Sequence, residues 1–124
     1  MNISSLAGKR GSSNNSVYCA TKFAVNGITQ ALAKELGARG IRVNAVCPVY
    51  VETEHILTSL AENASPAQGE SVQAYLASFA KVQTALGRLP TAQEVAEVVY
   101  FLASPAASAI TGQCLNVDCG TLPQ

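Results

Sequence analysis

The sequence has no tryptophan, a single histidine and only 13% charged residues, and its eight basic and eight acidic side chains cancel to a formal net charge of zero. Without a basic excess there is no electrostatic footprint for nucleic acid or for an anionic membrane surface. No apolar run approaches the ~20 residues that span a bilayer. The N-terminus lacks the basic segment and apolar core of a signal peptide. The four cysteines, Cys19, Cys47, Cys114 and Cys119, form no C-x-x-C pair, and His55 is the only imidazole. No zinc or other metal site is expected from such a set. The cysteines fall in stretches that read as helix and strand, which suits free thiols in a reducing, cytoplasmic compartment. Glycine is missing where a dinucleotide would need it. No G-x-G-x-x-G cluster follows an N-terminal strand, and Gly8 and Gly11 are the only close pair near the start.

What is present is apolar for its size: 48% of 124 residues are hydrophobic, enough for one domain at most, with a buried sheet. Residues 1–5 read as the tail of a strand, and LAGKRGSSNNS as a polar loop. Asn14, Asn15 or Ser16 can cap the helix that follows. Phe23, Ile28, Leu32 and Leu36 give that helix an apolar face through residue 36, and Gly37 and Gly40 end it. IRVNAVC (41–47) reads as a strand with Ile41, Val43, Ala45 and Cys47 on one face and Pro48 as its stop. A short helix is expected around 54–63. Ser65 and Pro66 open a second, from about 69 to 86. T-A-Q-E (91–94) is a capping box for a helix reaching about 103. CLNVD (114–118) is the last strand. Strand, helix, strand, helices, strand predicts parallel pairing with crossover connections.

Tyr18 and Lys22 stand four residues apart in YCATK, and Ser5 lies thirteen residues before the tyrosine. A spacing of four puts two side chains on one helix face. A free phenol titrates near ~10, and an adjacent cation favours its phenolate. Tyr18 is therefore a candidate general acid/base, with the Ser5 hydroxyl placed to hold the oxygen that gains or loses the proton. Taken alone, Y-x-x-x-K also suits a surface pair on an amphipathic helix. Ser5 could equally cap a loop, as could Ser4.

Four segments in order carry a wider likeness. NISSLAG (2–8), YCATKFAVNGITQALAKELGARGIRVNAVCP (18–48), VYVET (49–53) and EVAEVVYFLASPAASAITGQCLNVDCG (94–120) cover most of the chain. Together they resemble the short-chain dehydrogenase/reductases. The resemblance implies an α/β fold: the C-terminal half of a Rossmann-type, three-layer α/β/α parallel sheet, about three strands with flanking helices. It implies a catalytic set of Ser5, Tyr18 and Lys22, with Tyr18 as proton donor or acceptor and Lys22 also bonding the nicotinamide ribose. Tyr18, Lys22, Pro48, Val49, Val51 and Thr53 would meet a bound NAD or NADP, and the hydride would come from that cofactor. Thr53 could instead serve simply as an N-cap.

Two positions depart from the family pattern. Val49 and Cys119 stand where family members usually have glycine. A β-branched Val49 resists positive φ. The resemblance covers residues 1–124 as a catalytic half; the dinucleotide-binding N-terminal half that would precede it is absent. Two functions compete on these grounds. One is an oxidoreductase moving a hydride between the nicotinamide and a small ketone or secondary alcohol. The other is an inactive chain that only packs or oligomerises. Family members are commonly dimers or tetramers, so a homo-oligomer is expected. Residues 54–88, with Ile56, Leu57, Leu60, Tyr75, Leu76 and Phe79, would shape the substrate side or pack as core. His55 could face substrate or solvent.

Overall fold

The computed structural model describes residues 1–62 and 65–123. Three parallel strands form its sheet in the order β1 (Asn2–Ile3), β2 (Ala45–Pro48), β3 (Cys114–Val117). Asn2 stands opposite Ala45, and Ala45 in turn opposite Cys114. The middle strand is buried on both faces, as a parallel sheet requires. Every residue from Val43 to Cys47 is buried, so both alternating sets of side chains turn away from solvent. The strand is also shorter than its sequence suggests. Residues 41–44 precede it, and the side chains of Arg42 and Asn44 bond the segments around them. Arg42 donates to the carbonyls of Leu102, Ile110 and Ser104 at 2.7, 3.2 and 3.2 Å. The Asn44 amide donates to the Ile110 carbonyl at 2.8 Å and accepts from the Gln113 amide at 3.0 Å.

The long helix α1 (Ser16–Leu36) lies on one face of the sheet. Asn15 occupies its N-cap position but makes no side-chain capping bond. Its inward face is not the apolar stripe read from the sequence. Cys19, Asn26, Thr29 and Ala33 are buried, whereas Phe23 and Ile28 are 47% and 53% exposed. Small side chains let the helix approach closely, and polar ones are satisfied inside. Asn26 donates to the Gly8 carbonyl at 2.9 Å, and Thr29 accepts from Asn2 at 2.9 Å. The helix runs on as a 3-10 turn over Gly37–Arg39, closed by Gly40 at φ 72°.

On the opposite face, α4 (Ala92–Ala103) packs Leu102 against Val46 and Ala107, with Val95, Val98, Val99, Ile110 and Val117 around them. Burying such a leucine contributes about 1.5–3 kcal/mol. The layers are thus helix, sheet, helix. The capping box holds as read: Thr91 accepts from the Glu94 amide at 3.1 Å, and the Glu94 carboxylate accepts from the Thr91 amide at 2.8 Å.

Between β2 and α4 run α2 (Glu54–Ala61) and α3 (Val72–Gln83). The expected end of α2 at residue 63 falls outside the described residues. Helix α3 is shorter at both ends than expected. Ser65 does not start it; its hydroxyl donates to the Leu60 carbonyl at 2.7 Å and closes the end of α2. Gln68 and Gly69 then take φ of 51° and 83°, which no helix can contain. The N-cap falls to Ser71. Thr84 ends the helix in extended backbone.

Candidate active site

The C-terminal ends of parallel strands are where open α/β sheets gather ligands. Here the register of Ile3 against Val46 brings the chain after β1 and the chain after β2 to one end of the sheet. Ser5, the first sequence candidate, N-caps a 3-10 turn at Leu6–Gly8, its hydroxyl accepting from the Ala7 amide at 3.2 Å. It still has a proton to donate. Ser4 is 3% exposed and donates to the Lys22 carbonyl at 3.2 Å, so packing consumes it. Of the adjacent serines, Ser4 is buried and Ser5 is half-buried.

Tyr18 and Lys22 share a face of the first turns of α1. The ammonium lies 5.5 Å from the centroid of the Tyr18 ring and donates to the Ile3 carbonyl at 3.1 Å. Lys22 is therefore clasped between the tyrosine and the end of β1, a cation held over an aromatic face. Tyr18 itself is 42% exposed. This approach depends on Gly8. A Cβ there would lie 2.6 Å from the Lys22 carbonyl oxygen and 2.8 Å from the Ser4 hydroxyl.

The second group follows β2. Pro48 is the last residue of that strand, and the Val49 amide extends its ladder to the Val117 carbonyl at 3.4 Å. Val49 takes no positive φ, so replacing the usual glycine imposes no strain there. Cys119 does: it adopts φ 51° where glycine would be relaxed. Burial raises its thiol above the ordinary cysteine range. Burial likewise raises the thiols of Cys47 and Cys114, and all four cysteines are free. Val51 is partly buried, and its carbonyl accepts from the Thr53 amide at 2.7 Å. Thr53 N-caps α2, accepting from the Ile56 amide at 3.4 Å, which leaves its own hydroxyl proton to donate.

Sequence reasoning passed over Tyr50, which lies between the named loop residues. Its hydroxyl meets that of Tyr75 at 3.1 Å, and its ring packs edge-on against Tyr75 and Phe79 of α3. Of the other residues expected to line this side, Leu60 and Leu76 are buried core, and His55 is exposed. A shallow depression of about 470 Å³ opens beside Tyr18, lined by Asn14, Asn15, Ser16, Val17 and Thr21. A larger groove of about 560 Å³ lies elsewhere, between α4 and the outer edge of β3, and holds none of the candidate catalytic side chains. Among the described residues no group of three or more metal-ligating side chains gathers, and no helix is long and apolar enough to cross a membrane.

Comparison with known proteins finds relatives along most of the chain. Residues 1–121 match the family described as enoyl-(acyl carrier protein) reductase. A monensin polyketide synthase protein from Streptomyces virginiae is 43% identical over 122 residues, covering 98% of this chain and 46% of the relative. A diacetyl reductase, (S)-acetoin forming, from Staphylococcus aureus is 40% identical over 123 residues, covering 97% and 46%. The structure of an actinorhodin polyketide ketoreductase with NADPH superposes with a TM-score of 0.86 at 39% identity, covering 97% of this chain and 45% of that one. The chain belongs to the short-chain dehydrogenase/reductase family. It spans about half the length of the relatives it matches.

Proposed function

We propose that this chain carries the catalytic half of a nicotinamide-dependent oxidoreductase acting on a ketone or secondary alcohol. The observation that carries this reading is the clasp of Lys22 between the Tyr18 ring and the Ile3 carbonyl, at the sheet end where the Pro48–Thr53 loop also emerges. The Ser5 hydroxyl holds the substrate oxygen. Tyr18 gives that oxygen a proton during carbonyl reduction and takes one back during alcohol oxidation. The ammonium of Lys22 stabilises negative charge developing on the oxygens beside it, and its remaining N–H donors suit a ribose.

The donor set fits the nicotinamide end of NAD or NADP. Lys22, the backbone at Val51 and the free proton of the Thr53 hydroxyl would hold it, with Pro48 and Val49 shaping the turn. When bound, that group supplies the hydride. The chain offers no glycine-rich cradle for the pyrophosphate. A second reading, in which the chain packs or oligomerises without turnover, is favoured by the apolar outer edge of β1, which pairs with no strand among the described residues.

Titration of the purified chain with NADH and with NADPH, followed by reduced-nicotinamide fluorescence, separates the two. Saturable binding, weakened roughly tenfold or more by Lys22→Ala, is expected if a desolvated charge-assisted contact is lost. A folded chain that binds neither cofactor at millimolar concentration favours the second reading.

A further inference from the structure

The loop between β2 and α2 has few internal fixings. Val49 ties its start to β3, and Thr53 ties its end to α2. Between them one large side chain reaches across to another element. The Tyr50 ring centroid lies 4.9 Å from that of Phe79 with planes at 80°, and 5.9 Å from that of Tyr75 at 77°. Tyr75 and Phe79 are themselves 6.3 Å apart on α3. Edge-to-face contacts of this kind are directional, so they fix orientation as well as burying area. The two phenol hydroxyls close the arrangement at 3.1 Å. Burial, and then the bond to Tyr75, push the Tyr50 phenol above the ordinary tyrosine range.

We infer that Tyr50 is a positioning residue for the proposed reaction: held by the Tyr75 hydroxyl and the Phe79 ring, it locks the Pro48–Thr53 loop to α3. One contact then sets both the loop that would meet the nicotinamide and the helix that would border the substrate. The inference rests on the proposed role of that loop.

Hydrogen–deuterium exchange of the whole chain tests it, with Tyr75→Phe and Tyr50→Phe each deleting one hydroxyl and keeping the ring. Exchange of residues 49–53 and of residues 72–83 should quicken together by roughly two- to tenfold, the range for one net hydrogen bond, while β2, β3 and α4 stay unchanged. Tyr50→Leu, which removes the edge contacts as well, should quicken both segments further. Unchanged exchange at 49–53 in both phenylalanine variants overturns the inference. So does a uniform rise across the sheet and α4, which marks a merely destabilised fold. Wild-type exchange with and without millimolar NADPH reads the loop's proposed role separately. Absent protection at 49–53 sinks that role, whereas the comparison among variants still decides whether Tyr50 locks the loop to α3.

Discussion

Gly8 determines more of the candidate site than its position outside the catalytic set suggests. It lets the 3-10 turn after β1 lie directly on the Lys22 carbonyl, and thereby sets Ser4, Ser5 and Lys22 against one another. Gly8→Ala would put a methyl 2.6 Å from backbone that belongs to α1 and cannot swing aside. The expected cost is about 1–3 kcal/mol of stability, typical of overpacking. Urea unfolding checks it, and an unshifted midpoint would mean that the turn stands off the helix. Spacing to Tyr18 and the family likeness favour Ser5 over Ser4, and the packing adds where the other hydroxyl goes. Tyr50 was illegible in the sequence, since its partners lie 25 and more residues away.

Among the elements, the cap of α4 came out as read. The capping box of α4 needs only residues 91–94, and all its bonds form. Thr91→Ala should therefore lower the unfolding free energy by about 1 kcal/mol. The same cap has a pH signature. Hydrogen bonding from Arg88, and then from the Thr91 backbone, holds the Glu94 carboxyl down to about 2. A carboxyl depressed in the fold stabilises it above its unfolded value near ~4.3 and loses that contribution as pH falls through the folded value. Between those limits Tm should fall less in Glu94→Gln than in the wild type. Because the pair is exposed, added salt should shrink the difference. Identical acid limbs in the two proteins would show that the pair adds nothing. Helix α3 illustrates the opposite case: Ser65–Pro66 is a sound local start signal, but the Leu60 carbonyl captures the serine.

At the scale of the whole molecule, unpartnered apolar surface stands out. The outer edge of β1 pairs with no strand among the described residues, and Ile3 is 54% exposed beside it. Val17, Phe23 and Ile28 of α1 face outward at 78%, 47% and 53%. An unprotected strand edge with an apolar patch favours pairing with another chain. The isolated chain should thus sediment as an oligomer or aggregate, with marginal stability. A single monomeric boundary across a tenfold concentration range, with cooperative thermal unfolding, would count against this.

The sequence by itself determined what depends on neighbours along the chain: the Tyr18–Lys22 face, the α4 cap, the alternation of strands and helices, and the family likeness. The family likeness is carried by the order and spacing of its motifs, and the rest follows from helical periodicity and short-range hydrogen bonding. Tertiary structure decided which face of α1 turns inward, where β2 begins, where the Ser4 hydroxyl goes and what Tyr50 touches. Each of those depends on groups from distant parts of the chain competing for the same buried space and the same hydrogen-bond partners.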